Sequence, residues 1–389
     1  MPIDYLEDEG LAKNPNLKLA QWKFRLSLHD RRFNKELQKQ LLEAIKSGEM
    51  APIYEEWCKS LKWTVDEVLL SRLKQLNMEK LKQLDDEIED AEKNLGEMEV
   101  QGAFMKKSEY LCTIGAKDEA VKNFQITYDK TVSLGQRLEI VFYLIRIGFF
   151  YWDHDLITRN IDKAESLIEE GDSWEHRNRM KVYKGIYSMM KRDFKSAANS
   201  FLDSSLTFTC YELMDYHEFI RYIVLMGVIS VPRNELKEKI IKNSEVLEVL
   251  HNDRFMKDYV MSLYDCHYAE FFKNLAQVED FLKHDYYLSP HYRHYIREMR
   301  LRAYTQILQC YQSLTLDFMA DTFGVTAEFI DKELSRFISD RRVDGKIDKV
   351  SNIVVTDHPD AKNWQYQEII RQGDTLLNRV QKLSRVINI

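Results

Sequence analysis

Between Pro52 and Pro232 the sequence contains no proline, and this absence limits the possible folds more than any other feature. Proline lacks a backbone N–H and breaks helices in their interior, so a long stretch without it can hold one helix after another. Only isolated glycines interrupt the stretch, which predicts helices joined by short turns. We therefore expect most of the chain to be α-helical.

The composition indicates a chain that can bury a large core. Its 389 residues are enough for two or more domains, and 44% of them are hydrophobic. A net charge of −7 argues against a general nucleic-acid or anionic-membrane surface, which needs excess Lys and Arg. The five cysteines are far apart, as is usual in a reducing compartment. No secretory signal occurs and the longest apolar runs are too short to span a bilayer, so we expect an intracellular, soluble protein.

Residues 64–98 have the pattern of a long amphipathic helix. Thr64 and Glu67 have the spacing of a capping box, which predicts that the helix begins there. Apolar residues then recur close to heptad spacing as far as Leu95 and Met98, with Asn77 where an apolar residue is expected. A coiled-coil surface for a partner is one interpretation. Packing of this helix against its own domain is favoured.

Three segments between residues 110 and 201 place a small residue four positions before a large apolar one. This spacing lets the second helix of a tetratricopeptide-like (TPR-like) pair pack against the first. The segments contain Ala120 and Phe124, Ala164 and Ile168, and Ala197 and Phe201. Their separations are uneven, so they predict degenerate repeats that stack into a solenoid with a partner-binding concave face. An irregular helical domain that uses no groove is the alternative.

A helix-turn-helix and a β-hairpin follow in the last hundred residues. Two short helices, 316–320 and 326–339, flank Gly324. After them, β-branched residues such as Ile347, Ile353 and Val355 predict two strands joined by a turn at residues 349–352. The predicted fold class is therefore all-α: a TPR-like helical-repeat solenoid followed by a winged-helix module with a small β-hairpin and a C-terminal helix.

The closing helix carries a stripe of apolar residues, which we call the C-terminal seam. Its members recur at 3–4 spacing and need a hydrophobic partner. The seam comprises Ile369, Leu376, Leu377, Val380, Leu383, Val386 and Ile387. The helix can fold back on the winged-helix module, or it can project and bundle with helices of other chains. The sequence pattern alone favours folding back.

Motifs that would indicate catalysis or a bound cofactor do not occur. The sequence has no glycine-rich phosphate loop, no GxSxG elbow and no HExxH pair. His291 and His294 are spaced so that both imidazoles can share a helix face, but further ligands are not suitably placed. We therefore predict no catalytic residue, no cofactor and no metal, and we expect a protein that is not an enzyme.

Nucleic-acid binding is an alternative function that any winged helix raises. A helix that reads DNA should be basic, but the second helix of this pair is acidic, and phosphates would repel it. It carries Glu328, Asp331, Glu333 and Asp340 against Lys332 and Arg336. The observation that favours nucleic-acid binding is a group of basic residues on the hairpin, namely Arg341, Arg342, Lys346 and Lys349. A protein-docking module is favoured, in which the hairpin edge pairs with a neighbouring strand.

Seven segments resemble the PCI-domain proteins, a family that scaffolds the proteasome lid, the COP9 signalosome and a translation initiation factor. The likeness covers nearly the whole chain, and it points to the members found in the proteasome lid. The segments are residues 90–96 (DAEKNLG), 127–131 (TYDKT), 155–160 (DLITRN), 211–216 (YELMDY), 289–293 (SPHYR), 363–367 (NWQYQ) and 378–388 (NRVQKLSRVIN).

The resemblance implies a non-catalytic scaffold subunit of the proteasome regulatory-particle lid, needed for lid assembly and for ATP-dependent degradation of ubiquitinated proteins. Its implied partners are other PCI-domain lid subunits and the lid isopeptidase subunits, with the proteasome base and core particle reached indirectly. Neither nucleic acid nor membrane is implied, and the implied location is the cytoplasm and nucleus. A PCI scaffold subunit of the COP9 signalosome is the alternative.

The resemblance also implies a division of the chain into four regions. These are an N-terminal helical arm (1–100), TPR-like helical repeats (101–285), a PCI winged-helix module (286–360) and a C-terminal bundle helix (361–389).

Two partner-binding surfaces follow from the resemblance. Hairpin edges of neighbouring winged helices pair, and terminal helices gather in a bundle that nucleates assembly, which reverses the preference for a helix that folds back. The implied hairpin edge comprises Lys346, Lys349, Ser351, Ile353 and Val355. The implied bundle surface is the C-terminal seam. The isopeptidase activity of such complexes needs a zinc-binding HxH motif, which this sequence lacks, so that activity is not assigned.

Overall fold

The computed structural model describes residues 14–28, 34–171, 174–356 and 361–387. Within these ranges the chain forms nineteen α-helices and one three-stranded sheet. It divides into two compact units, the first comprising Met1–Val260 with Gln277–Arg293 and the second comprising Met261–Ala276 with His294–Ile389. The predicted all-α class with a small sheet is confirmed. None of the described helices combines the length and the apolar character needed to cross a bilayer.

The first fifteen elements of the chain are helices, and the last two of these, α14 and α15, contain residues of both units. They are α1 (Leu17–Ser27), α2 (Lys35–Ser47), α3 (Ala51–Leu61), α4 (Glu67–Asn94), α5 (Glu97–Ile114), α6 (Lys117–Lys130), α7 (Leu134–Tyr151), α8 (His154–Glu170), α9 (Trp174–Met190), α10 (Phe194–Ser204), α11 (Tyr216–Ser230), α12 (Arg233–Leu236), α13 (Ser244–Asn252), α14 (Arg254–Tyr264) and α15 (Tyr268–Lys283). The remaining elements are α16 (Tyr292–Leu308), β1 (Ser313–Thr315), α17 (Leu316–Phe323), α18 (Ala327–Ser339), β2 (Gly345–Asp348), β3 (Ile353–Thr356) and α19 (Ala361–Ile387).

Helix α4 packs on its own unit, as the favoured interpretation predicted. Its buried residues include Asn77, whose side-chain oxygen accepts a hydrogen bond from the Tyr110 hydroxyl at 3.1 Å. The predicted capping box is wrong. The Asp66 carboxylate caps the helix by accepting hydrogen bonds from the backbone N–H groups of Val68 and Leu69 in the first turn. The helix also ends at Asn94, so Leu95 and Met98 do not continue its apolar stripe.

Three consecutive helix pairs form the centre of the first unit: α5 with α6, α7 with α8, and α9 with α10. Each pair is joined by a turn of two or three residues in which one residue is left-handed, namely Gly115 (φ +83°), Trp152 (φ +55°) or Arg192 (φ +69°). The small residues predicted at the second helices, Ala120, Ala164 and Ala197, are almost fully buried. The predicted TPR-like helical repeats are confirmed. Partner binding by a concave face of this stack stays a prediction.

Gly185 gives a test of how closely one of these pairs packs. A Cβ atom at this position of α9 would lie 2.6 Å from Cδ1 of Phe201 on α10, and that ring is held by an edge-on contact with Phe219. We expect Gly185→Ala to destabilise the protein, because overpacking costs about 1–3 kcal/mol while alanine adds only about 0.5–1 kcal/mol of helix propensity. Thermal denaturation followed by circular dichroism measures the change.

The matched control for Gly185→Ala is the same substitution at Gly102. This glycine lies inside α5 and is exposed, and a Cβ atom added there would meet no other atom within 4 Å. We expect Gly102→Ala to raise the melting temperature, because only the propensity gain operates there. If both substitutions shifted the melting temperature in the same direction, close packing of Gly185 against Phe201 would not explain the effect of Gly185→Ala.

The second unit contains the winged helix that the sequence predicted. Its sheet has the order β1-β3-β2 with antiparallel pairing throughout, so β3 is the central strand. The hairpin of β2 and β3 and the turn at Gly324 (φ +65°) are confirmed. Helix α17 continues to Phe323, three residues beyond the predicted end. The third strand, β1, was not predicted because three residues are too few to show alternation.

Candidate partner interface

The C-terminal seam is exposed along its whole length. All seven residues lie on α19, and their exposed fractions range from 58% to 71%. No side chain from residue 363 to residue 387 is buried. The prediction from the sequence pattern alone, that this helix folds back, is therefore wrong. The rest of the described chain leaves the seam available to a partner.

The geometry of α19 makes the seam a long, narrow apolar strip. At 1.5 Å per residue its 27 residues extend about 40 Å. Ile369, Leu376, Val380 and Leu383 share one face, since they are separated by three, four or seven positions. Glu368 accepts hydrogen bonds from Arg371 and Gln372, about one turn later on the same helix. A monomer rarely exposes so long an apolar strip, so the seam is a candidate interaction surface.

Two exposed aromatic residues at the start of α19 were missed by the sequence analysis. Trp364 and Tyr366 are both more than half exposed. Tyr366 lies three residues before Ile369 and four before Ile370, so it extends the apolar face toward the helix start. The helical spacing of Tyr366 was a signal that could have revealed it.

The structure separates the five predicted hairpin-edge residues into two groups. Lys346 lies on β2, which pairs with β3 on one side only within the described residues, and Lys349 and Ser351 lie in the turn. Ile353 and Val355 lie on β3, whose backbone pairs with β1 and β2 on its two sides. The expectation that these two residues form an unpaired edge is wrong, because β1 occupies the place where a neighbouring strand would pair.

The free edge at β2 is held in position by its turn. The Asp348 carboxylate accepts hydrogen bonds from the Ser351 hydroxyl at 2.6 Å and from the Val350 N–H at 2.9 Å. Ile347 lies opposite Val354, which is fully buried and anchors the sheet on the core. Strand β2 therefore presents a supported edge whose outward backbone groups can pair with another strand.

The helix pair of the winged helix is positioned by an aromatic cluster. Phe323 at the end of α17 contacts the rings of Tyr268, Phe272 and Tyr304, with ring centroids 4.9–5.0 Å apart. Gly324 follows in the left-handed conformation, and a Cβ atom there would lie 3.4 Å from Cβ of Ala269. The left-handed backbone and this close approach explain why glycine occupies the turn.

The basic residues of the hairpin are partly neutralised inside the unit. Both terminal nitrogens of Arg342 donate to the Glu298 carboxylate at 2.5 Å. Lys349 Nζ donates to Asp331 at 2.5 Å. A DNA-binding wing needs its cations for phosphates, so these pairs weigh further against nucleic-acid binding.

Neither histidine considered as a metal ligand lies in a metal-binding arrangement. His291 Nε2 is 2.7 Å from the carbonyl oxygen of Met190, and His294 faces the Glu298 carboxylate one turn away. Among the residues that the structure describes, no group of three His, Cys, Asp or Glu side chains could hold a metal ion.

Family models match three successive parts of the chain. The 26S proteasome subunit RPN7 model matches residues 66–239, and the PCI domain model matches residues 275–358. The model of the 26S proteasome regulatory subunit RPN7/PSMD6 C-terminal helix matches residues 365–387. This last match coincides with the part of α19 that carries the C-terminal seam.

Relatives match nearly the whole chain. The 26S proteasome non-ATPase regulatory subunit 6 of Dictyostelium discoideum is 44% identical over 98% of this chain and 100% of its own length. Its homolog in Arabidopsis thaliana is 47% identical over 91% of this chain and 92% of its own length. Similarity to the Arabidopsis COP9 signalosome complex subunit 1 is lower, at 22% identity over 85% of this chain and 77% of that protein. This chain thus belongs to the family of the 26S proteasome non-ATPase regulatory subunit 6, also described as RPN7.

Proposed function

We propose that the chain is a non-catalytic scaffold subunit of the proteasome regulatory-particle lid. It is needed for lid assembly, and through assembly for ATP-dependent degradation of ubiquitinated proteins. The observation that carries the proposal is the C-terminal seam, an apolar strip exposed on a single helix at the end of a PCI-domain protein. Family membership supports the choice of complex.

The seam can supply enough free energy to hold the chain in a complex. Burying one Leu, Ile or Val side chain contributes about 1.5–3 kcal/mol, so the seven seam residues contribute roughly 10–20 kcal/mol. Association costs roughly 4–15 kcal/mol in lost motion. The balance favours a stable bundle with helices that bury most of the seam, and a bundle with several helices buries more of it than a single partner helix does.

The edge of β2 is the proposed second contact. A strand of a neighbouring PCI-domain subunit can add to this edge by main-chain hydrogen bonds. Lys346 on this strand is a charged side chain of the kind that limits unspecific pairing of edge strands.

The remaining parts of the proposal follow from family membership. The proposed partners are other PCI-domain lid subunits and the lid isopeptidase subunits, with the base and core particle reached through them. The proposed regions are the arm (1–100), the repeats (101–285), the PCI winged-helix module (286–360) and the bundle helix (361–389). The proposed location is the cytoplasm and nucleus, where such complexes act.

A native pull-down tests the proposal. The full chain carries a tag at its N-terminus so that α19 stays free, and quantitative mass spectrometry identifies what co-purifies. We expect the other lid subunits in near-equal amounts, followed by base and core subunits. Recovery of COP9 signalosome subunits instead would assign the chain to the alternative complex. Recovery of the chain alone would refute a scaffold role in either complex.

A further inference from the structure

Helix α17 and the segment before β1 together expose two aromatic rings next to two carboxylates. Phe318 and Tyr311 are 47% and 46% exposed, and their rings meet edge to face with centroids 6.3 Å apart. Asp317 and Asp321 are exposed one turn apart on the same helix, beside Phe318. We call these four residues the acidic-aromatic face.

The rest of the second unit holds this face rigidly. The other side of α17, with Leu316, Met319 and Phe323, is buried. The hydroxyl of Thr315 caps the helix by accepting a hydrogen bond from the Phe318 N–H at 3.3 Å. Asp317, Phe318 and Asp321 therefore project from a packed helix, while Tyr311 lies in the segment between α16 and β1.

The charges on the face are unfavourable in the isolated chain. Asp317 lies in the first turn, where the helix dipole stabilises a carboxylate, but Asp321 lies in the last turn, where the dipole opposes one. The two carboxylates also repel each other at i,i+4 spacing. Within the described part of the chain neither carboxylate has a hydrogen bond or ion pair.

Other acidic residues of the same unit do have basic partners. Lys332 Nζ lies 2.5 Å from Glu328, and Lys349 Nζ lies 2.5 Å from Asp331. The unit thus balances acidic side chains nearby, while the charge on α17 stays uncompensated. A positive charge between Asp317 and Asp321 would reduce the repulsion between the two carboxylates. It would also offset the unfavourable interaction of Asp321 with the helix dipole.

We propose that the acidic-aromatic face binds a basic segment of a partner protein, with a Lys or Arg side chain over the Phe318 ring and between Asp317 and Asp321. The ring attracts a cation through its quadrupole, and carboxylates form the strong, charge-assisted hydrogen bonds. This contact goes beyond the proposed function, since it involves neither the C-terminal seam nor the β2 edge. Acidic charge makes a nucleic acid an unsuitable occupant.

Photocrosslinking in the native assembly tests the contact. The full chain is produced in cells with Phe318 replaced by p-benzoylphenylalanine, which keeps an aromatic ring at the site. After irradiation, mass spectrometry identifies the crosslinked peptide. We expect a peptide of another polypeptide that has Lys or Arg within about three residues of the crosslink, the spacing at which a neighbouring side chain still reaches the carboxylates. A neutral or acidic peptide, or no intermolecular crosslink, would overturn the proposal.

Charge removal provides the second readout. Asp317→Asn with Asp321→Asn keeps the side-chain shape, and we expect it to lower the crosslink yield about fivefold, the effect of losing two exposed ion pairs. The control, Asp340→Asn with Asp344→Asn, removes two other exposed carboxylates of the same unit and should leave the yield unchanged. Equal yields in both double variants would refute the role of the α17 charges. The same photoreactive residue at Leu376 tests the proposed function separately.

Discussion

We expect Leu376→Asp with Leu383→Asp to abolish incorporation of the chain into the lid while the helical repeats stay folded. Both side chains lie on one face of α19 and are about 60% exposed, so the free chain loses no packing when they change. In the bundle, the variant loses the burial of two leucines, about 3–6 kcal/mol, or roughly two to four orders of magnitude in affinity. Burying two carboxylates without partners adds a further penalty.

Co-expression with the other lid subunits, followed by native gel electrophoresis and mass spectrometry, measures incorporation. Circular dichroism of the isolated variant checks that the repeats remain folded. The control is Gln367→Asp with Asn378→Asp, which adds the same two charges on the opposite, polar face of α19. It should enter the lid normally. Normal co-purification of the leucine double variant would refute the bundle assignment.

The second large effect is expected from Glu212→Gln, which neutralises a buried carboxylate between helix pairs. Glu212 is 3% exposed and Arg179 on α9 is 5% exposed. Arg179 Nη2 donates to Glu212 at 2.9 Å and to Glu139 on α7 at 3.2 Å, and the Tyr183 hydroxyl donates to Glu212 at 3.1 Å. The cluster therefore ties α7, α9 and the segment after α10 together.

The pKa of Arg179 reflects the balance within this cluster. Burial by itself lowers the pKa of the guanidinium, but the charges of Glu212 and Glu139 outweigh burial and hold the pKa above its ordinary value. Burial also lowers the pKa of Arg146, but Tyr183 and then Glu212 outweigh burial and raise this pKa above its ordinary value. Because arginine stays protonated, removal of the Glu212 charge leaves Glu139 as the remaining carboxylate bonded to Arg179, and the positive charge of the buried cluster is then only partly balanced.

We expect Glu212→Gln to lower the free energy of unfolding of the first unit by about 3–5 kcal/mol, the cost of breaking a buried ion pair from one side. Urea denaturation followed by circular dichroism measures it. Glu238→Gln is the matched control, because Glu238 pairs with Lys242 at 2.9 Å on the surface. Such exposed pairs contribute little to stability, because water and salt screen them. If the two substitutions lowered the free energy of unfolding equally, burial would not explain how much the Glu212 cluster contributes to stability.

Local patterns in the sequence predicted the elements better than their boundaries. The hairpin turn at residues 349–352 and the left-handed Gly324 follow from β-branched alternation and from glycine's access to positive φ, both of which depend on near neighbours. The N-terminus of α4 was misplaced by two residues because Thr64 and Asp66 both have capping side chains, and only the path of the chain selects between them.

The candidate interface divides in the same way. Helical periodicity identified every residue of the C-terminal seam, but it could not show whether the seam is covered. The pairing of Lys349 with Asp331 and of Arg342 with Glu298 joins residues 18 and 44 positions apart, so no spacing rule reveals it. The exposed Phe318 lies on a helix whose buried face was recognisable, yet its contact with Tyr311 depends on how β1 precedes α17.

The sequence by itself determined the helical class, the repeated helix pairs, the winged helix and the apolar face of α19, because these arise from periodicities of two to four residues that act along the chain. Only the tertiary structure decided that β1 makes β3 a central strand, that buried Arg179 meets Glu212, and that nothing within the described chain covers α19. These outcomes depend on which segments, distant in the sequence, come into contact in the fold. Burial and charge pairing follow from those contacts and not from the local sequence.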